Sequence, residues 1–432
     1  MNSIQQSIFD SYVDSENIFM TGPGGTGKSY LIKQIYSHAV EHGRKISVTA
    51  LTGVAGLILE CNATTIHTWG GIGLCKKSND LIINGVLKSK YKLHNWLNTD
   101  ILIIDEIRMM SDKMFDLLDT IGRKILNNKK PFGGIQIILS GDFFQLPPVA
   151  ENVFCFESDK FMNSFDSIYS LDQIYRQNDS VYKKILNNLR IGKITQNAIC
   201  KLESRLINNL NVKLDDNITR LLPTKKKVNE INNKNIVKIN SKSFYYKRNY
   251  SEDKETISLV DKNKLNNMTD QEKDFEFKYI ESSTLTEDNL ELKKGAFVMC
   301  IANLDPQIVN GSQGIVKDFD TNSNPIIEFK SNSQTILRTI VIHSWKSDNI
   351  PGLSVKQLPL ILAWGITIHK AQGITLNSAI IDIGNEIFES GQMYVALSRI
   401  KSLEGLYLQN FAINKLKINN KVIDFYKKNN LI

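Results

Sequence analysis

Apolar residues along this chain follow two alternating patterns. Short runs of four or five (Asn17-Ile18-Phe19-Met20, Ile46-Ser47-Val48-Thr49-Ala50, Ile101-Leu102-Ile103-Ile104, Gln136-Ile137-Ile138-Leu139) have the continuous character of strands buried on both faces. Between them lie stretches with helical periodicity. Residues 3–16 place Ile4, Ile8, Phe9 and Tyr12 on one side, and Tyr30–Val40 and Ser180–Arg190 read as further helices. Strand and helix in alternation predict an α/β fold built on parallel sheets. From Ala296 the grammar changes to short strands (296–301, 314–317, 325–329, 334–342) separated by turn signals at Asn310-Gly311 and Asn322–Asn324, which predict a small all-β module. Leu358–Leu362 resumes the α/β pattern, Ala379–Ile383 is another buried strand, Tyr394–Arg399 lies on a helix, and Leu403–Leu408 is the last strand. Residues 76–95 read as a basic, irregular surface excursion. Asn235–Leu290 reads as a poorly packed, partly mobile insertion edge, and 409–432 as a basic tail that starts helical.

Composition narrows the class. With 432 residues, 42% hydrophobic and 23% charged, the chain has the composition of a soluble globular protein, and about three domains are expected. No run of about 18 apolar residues predicts a membrane span, and the N-terminus lacks the pattern of a signal or transit peptide. An intracellular location is therefore expected. Five cysteines (Cys61, Cys75, Cys155, Cys200, Cys300) form no C-x-x-C pair, so reduced thiols are expected rather than zinc or disulfides. The net charge of +8 suits a polyanionic partner without requiring one.

Two stretches carry chemistry. Gly22-Pro23-Gly24-Gly25-Thr26-Gly27-Lys28-Ser29 fits G-x-x-x-x-G-K-[ST] between a strand and a helix. Its glycines let backbone N–H groups turn toward phosphate oxygens, Lys28 supplies charge to the β- and γ-phosphates, and Ser29 offers a hydroxyl to Mg²⁺. Asp105 and Glu106 close a buried strand, where carboxylates are costly without a cation nearby. Asp105 suits Mg²⁺, and Glu106 suits orientation and deprotonation of a water. Gln6, shortly before the glycine loop, admits two readings: an adenine contact or a solvated surface residue. Gln145 follows another strand reaching the same edge. The Thr52 turn and the segment Thr64–Gly73, with His67 and Trp69, admit nucleic-acid contact, or for Trp69 simple burial.

One phosphate loop does not specify a function; the ordered set says more. Gly22–Ser29, Val48–Ala55, Ile103–Met109, Gly133–Pro148, Leu171–Gln177, Leu358–Thr375 and Gln392–Gly405 together resemble the superfamily I DNA helicases, in the PIF-type, RecD-like branch. The resemblance spans nearly the whole chain. One departure stands out: where the family usually reads Asp-Glu-Ile-Ser-Met, this chain has Asp105-Glu106-Ile107-Arg108-Met109. The long N-terminal extension of some relatives is also missing from this sequence.

The resemblance implies two RecA-like P-loop lobes, a small wedge excursion and an SH3-like β-barrel insertion. The first lobe covers 1–165 with the wedge at about 69–95. The second covers 166–235 and 356–432, around an insertion at 236–355. ATP and Mg²⁺ are the implied cofactors. Gln6 and residues 22–29 would bind ATP, with Ser29 and Asp105 at the metal. Lys28, Glu106, Gln145, Arg176 and Arg399 would be catalytic, the last three facing the γ-phosphate. Thr52, His67, Trp69, Thr367, His369 and Gln372 would lie near single-stranded DNA. The implied activity is ATP-driven 5′-to-3′ movement on single-stranded DNA with unwinding of forked or tailed duplex; action on G-quadruplexes or RNA–DNA hybrids stays open. Two rivals also remain: a nucleotide switch that binds DNA without translocating, and a ring ATPase whose arginine comes from a neighbour. Arg176 and Arg399, both in this chain, favour a catalytically complete monomer.

Overall fold

In the computed structural model, β1 (Ile18–Thr21), β2 (Ile46–Ala50), β3 (Thr64–Thr65), β4 (Ile101–Asp105), β5 (Gln136–Ser140) and β6 (Ser167–Ser170) form one sheet in the order β3-β2-β4-β5-β1-β6. All its pairings are parallel. The residues described are 1–52, 56, 59, 61–73, 75, 78–147, 153–210, 213–330, 335–347 and 350–432; Gly53–Ala55 of the expected turn and Pro148 fall outside them. Alternation along each strand divides the core in two. Ile18, Met20, Ile101, Ile103 and Ile138 pack with Ile8 and Tyr12 of α1 (Ser3–Val13) and with Leu31, Ile32 and Ile35 of α2 (Lys28–Glu41). Phe19, Leu102, Ile104, Ile137 and Leu139 face the other way, against Phe115, Leu118 and a cluster of phenylalanines.

The chain divides into two units. The first holds Met1–Ile199, Phe388–Ser398 and Asn414–Ile432, and the second Cys200–Ile387 and Arg399–Ile413. A boundary at 165/166 is thus displaced, because β6 pairs along β1 and completes the first sheet. The C-terminal residues are not a surface tail. Helix Asn420–Lys428 buries Phe425 and Tyr426 in the first core, and the Tyr426 hydroxyl bonds Thr21 Oγ1 at 2.5 Å. The excursion is also better built than its composition suggests. Between α3 (Ile66–Trp69) and β4, α4 (Asn79–Leu87) and α5 (Lys90–Leu97) carry Ile82, Ile83, Val86 and Trp96 into the same core.

In the second unit β7 (Arg220–Leu222), β18 (Gly365–Thr367), β19 (Ala379–Ile383) and β20 (Leu406–Phe411) make a parallel sheet in the order β18-β7-β19-β20. The β module is a five-stranded antiparallel sheet, β14-β13-β12-β11-β17, of β11 (Phe297–Cys300), β12 (Gln313–Phe319), β13 (Pro325–Lys330), β14 (Thr335–Thr339) and β17 (Leu360–Leu362). Leu360–Leu362 therefore ends the antiparallel sheet, paired to β11, instead of opening the parallel one. Residues 235–290 hold ordered elements: β8 (Ser243–Lys247), β9 (Asn249–Glu252), helices Leu259–Asn266 and Asp270–Ser283, and β10 (Asn289–Lys293). Local capping defines these helices more than apolar periodicity does. Ser258 accepts from the Asp261 amide, and Thr269 and Glu272 form a reciprocal capping box. Small strand pairings, β10 with β8 and β9 with β16 (Leu353–Gln357) beside β15 (His343–Lys346), complete the unit. Among the described residues no helix is long and apolar enough to cross a membrane.

Candidate functional site

The glycine loop leaves β1 at Thr21 and enters α2 at Lys28, at the carboxyl edge of the six-stranded sheet. Its backbone requires glycine. Gly25 and Gly27 have φ of +85° and +88°, and a Cβ on Gly25 would sit 2.5 Å from Arg176 Cβ. The Lys28 ammonium donates to the carbonyls of Gly22 (2.7 Å) and Pro23 (3.0 Å), so the loop curls around its own cation. Burial pushes that ammonium below the usual lysine range, against the pull of Asp142, Asp105 and Glu106. The Gly24 amide donates to the Tyr394 hydroxyl at 3.1 Å, on helix Gln392–Leu397. Ser29 is half-buried on the first turn of α2.

The loop is backed from two sides. On one, Leu171–Gln177 runs beside it: the amides of Leu171 and Tyr175 donate to the carbonyls of Thr21 and Gly25 at 2.8 Å each. Arg176 then stands over Gly25, its guanidinium bonding the Ser398 carbonyl at 3.5 Å, and burial lowers its pKa. On the other side stands α1. Gln5, 3% exposed, donates from Nε2 to the Thr26 carbonyl at 3.3 Å and accepts from the Asn2 amide at 3.0 Å. Gln6 is exposed, and its amide bonds Asp10 at 2.9 Å. The glutamine against the phosphate loop is thus Gln5, not Gln6. The helix turns Gln5, Ile8 and Tyr12 inward together, and the next position faces water. The i, i+3, i+7 spacing of these three was the signal that could have found it.

Asp105 ends β4 one strand removed from β1, with β5 between them. Burial raises its pKa to about 6, with Glu106 adding to the shift. Such a carboxyl gains its charge cheaply only beside a cation, which fits a divalent ion shared with Ser29. Glu106 adopts a left-handed backbone (φ +57°, ψ 36°) and pairs with Arg108 Nε at 2.8 Å. After β5, Asp142 accepts a forked pair from Arg190 (2.8–3.1 Å) of α7 (Ser180–Arg190), α6 being Asp112–Ile125. Phe143 and Phe144 are core, and Arg190 lies 4.5 Å over the Phe144 ring. Gln145 follows, half-buried, its amide on the Asp142 carbonyl at 3.0 Å. Gly391, with φ +74°, packs on this turn: a Cβ there would meet the Phe144 carbonyl at 2.4 Å.

Of the candidate nucleic-acid residues in this unit, Thr52 is half-buried just past β2. His67 is partly buried, and burial pushes its imidazole down to about 4, so it is neutral at neutral pH. Trp69 does not offer a stacking face. It is 4% exposed, packed on Trp96 at 4.5 Å between ring centres. Ile66 and Trp69, three apart, share the inner side of α3, with His67 between them partly buried. In the second unit, Thr367 ends β18 buried, and its hydroxyl accepts from the Lys370 amide at 3.2 Å. His369 on the same turn is exposed, and Gln372 is half-buried. Arg399 belongs to the second unit, 3% exposed, its carbonyl accepting from Leu376. The structure thus gathers Lys28, Ser29, Asp105, Glu106, Gln145 and Arg176 in one unit and Thr367, His369, Gln372 and Arg399 in the other.

Comparison with known proteins places this geometry. The family model for PIF1-like helicases matches residues 1–198, and that for the DNA helicase Pif1 2B domain matches 276–319. The ATP-dependent DNA helicase PIF1 of Danio rerio is 33% identical over 98% of this chain. The chain spans 62–64% of the length of such curated relatives. The crystal structure of Pif1 helicase from Candida albicans matches with TM-score 0.77 and 30% identity, covering 99% of each chain. That of Pif1 from Bacteroides in complex with ADP-AlF3 and ssDNA matches with TM-score 0.66 and 27% identity, over 99% of this chain and 97% of the other. A phosphate loop, a carboxylate strand end and a following glutamine turn on one parallel sheet are found here in a chain that belongs to the PIF1-like helicase family.

Proposed function

We propose that this chain is an ATP-driven DNA helicase that moves 5′ to 3′ on single-stranded DNA and separates tailed or forked duplex. The observation that carries the reading is the Lys28 ammonium held on the carbonyls of its own glycine loop, across the sheet edge from Asp105 and Glu106. A glycine loop holding a cation, with two carboxylates at a strand end of the same sheet, suits a nucleoside triphosphate with Mg²⁺. Relatives named as ATP-dependent DNA helicases, and a neighbour solved with ADP-AlF3 and ssDNA, support it.

In this reading Lys28 leaves the loop carbonyls for the β- and γ-phosphates, and Gln5 replaces Gln6 at the base. Ser29 and Asp105 would hold Mg²⁺, which supplies charge neutralisation between the phosphates when bound. Glu106 takes the proton of the attacking water. Gln145 and Arg176 sense and stabilise the γ-phosphate. Arg399 is assigned there by the family's motif alone. Thr52, His67, Thr367, His369 and Gln372 contact the strand, with neutral His67 giving stacking or hydrogen bonding instead of charge. Residues 236–355 would be the barrel-type insertion of the second lobe, and α4 and α5 the wedge. Catalysis by a monomer completes the reading.

Two partial duplexes test it, one with a 5′ and one with a 3′ single-stranded tail. ATP releases the strand from the 5′-tailed substrate only, and Lys28→Ala releases neither. Release from the 3′ tail alone overturns the polarity; no single-strand stimulation of ATP turnover overturns the helicase reading.

A further inference from the structure

The ATPase reading gives Glu106 the water and Gln145 the γ-phosphate, and it leaves Arg108 without a task. Arg108 is nevertheless 3% exposed. Burying a guanidinium is costly unless its donors are met. Here two of them are met, by two different loops at once. Nε donates to Glu106 Oε2 at 2.8 Å, and Nη1 donates to the Leu146 carbonyl at 2.6 Å. Leu146 directly follows Gln145. One planar group therefore spans from the carboxylate beyond β4 to the loop beyond β5.

The surrounding backbone leaves little play in that link. Glu106 has left-handed dihedrals uncommon outside glycine, so its main chain is held in a sparsely populated state. Gly141, which opens the Gln145 loop, touches the Arg108 turn: a Cβ there would lie 3.0 Å from Ile107 Cγ1, 3.1 Å from the Ile107 nitrogen and 3.4 Å from that of Arg108. The two loops are pressed together at their bases and bridged at their tips. A serine at this place is too short to span from Glu106 to Leu146.

We propose that Arg108 is a positioning residue for hydrolysis. It sets the orientation of the Glu106 carboxylate and ties it to the loop carrying Gln145, so that a shift of that loop moves the group that activates water. The proposal rests on the ATPase reading above. It requires that the losses at Arg108 and Gln145 be coupled, and that they appear in turnover and not in nucleotide affinity.

The test is steady-state, DNA-stimulated ATP hydrolysis by the whole chain. It compares wild type, Arg108→Ser, Arg108→Lys, Gln145→Ala and the double variant Arg108→Ser/Gln145→Ala. Arg108→Ser is expected to lower kcat about tenfold, the scale of a misplaced catalytic group, with KM for ATP within about twofold. Arg108→Lys, which keeps a charge but not the fork, recovers part of the loss. The double variant loses less than the product of the singles, because the link is already cut. Unchanged kcat in Arg108→Ser, a raised KM with kcat intact, or losses that multiply each overturn the proposal. If Arg108→Ser does not fold, Arg108→Lys decides: kcat reduced about threefold at constant KM supports the link, and wild-type turnover overturns it. A wild-type chain without ATP turnover overturns the ATPase reading and this inference with it. Wild-type turnover with indifferent Arg108 variants overturns this inference alone.

Discussion

The two parallel sheets of this protein follow the same grammar and differ at their carboxyl edges. In the first unit that edge gathers Lys28, Asp105, Glu106, Arg108, Asp142, Arg176 and Arg190, most of them buried. Its ion pair Asp142–Arg190 is enclosed, with side chains 0% and 5% exposed. In the second unit Thr367 ends β18, and the ion pair from Lys227 to Asp382 leaves the lysine side chain 30% exposed. A strand followed by a glycine loop can host phosphate, and the surrounding charges are affordable there because they neutralise each other. The strand that ends at Thr367 and runs on into Ile-His-Lys has no such loop, and its threonine hydroxyl is taken up by the Lys370 amide. The sheets alone carry no such distinction; the residues past their ends do.

Four substitutions probe this contrast, taken from the largest free-energy effect down. Arg399→Ala is the sharpest, because the proposed function gives this second-unit residue an essential contact with the γ-phosphate. It is expected to cut ATP turnover by about 10³-fold or more, the scale of an arginine finger. Mixing it with Lys28→Ala protein should restore nothing; recovered turnover would show arginines working between chains. Next is Arg190→Ala, which leaves Asp142 buried without its fork. About 3–5 kcal/mol of stability should be lost in urea unfolding. A loss below 1 kcal/mol would mean that the enclosed pair is no more than a surface pair.

Glu106→Gln follows. ATP binding persists while turnover falls about 10²-fold or more, equal to about 2.7 kcal/mol. Near-normal DNA-stimulated hydrolysis would remove Glu106 from its role. Smallest is Lys227→Ala. Asp382 is only 2% exposed but keeps its bonds from the Gly384 amide and the Asn410 amide group, so the cost should be about 1–2 kcal/mol by the same unfolding measurement. A cost like that of Arg190→Ala would erase the contrast between the two edges.

Much of this is legible in the sequence alone. The glycine loop, the Ile101–Asp105 strand and the helix Ser180–Arg190 lie where their patterns put them, because buried strands and amphipathic helices write their period into the sequence. What the sequence could not supply was partnership. The spacing of Gln5 with Ile8 and Tyr12 marks the inner face of α1, but only packing of that helix on the sheet brought Gln5 to the Thr26 carbonyl. Trp69 has the residue type of a base stacker, but Trp96, 27 positions on, covers it. The residues from 409 onward read as a basic tail that starts helical, because their lysines outnumber their aromatics. Tertiary packing decided that Phe425 and Tyr426 enter the first core, and that Tyr426 bonds Thr21 beside the phosphate loop. Arg108 shows the same division. Its identity marks a departure in the motif, yet the link from Glu106 to Leu146 joins residues 40 positions apart, and only a folded sheet edge brings such loops within reach of one guanidinium.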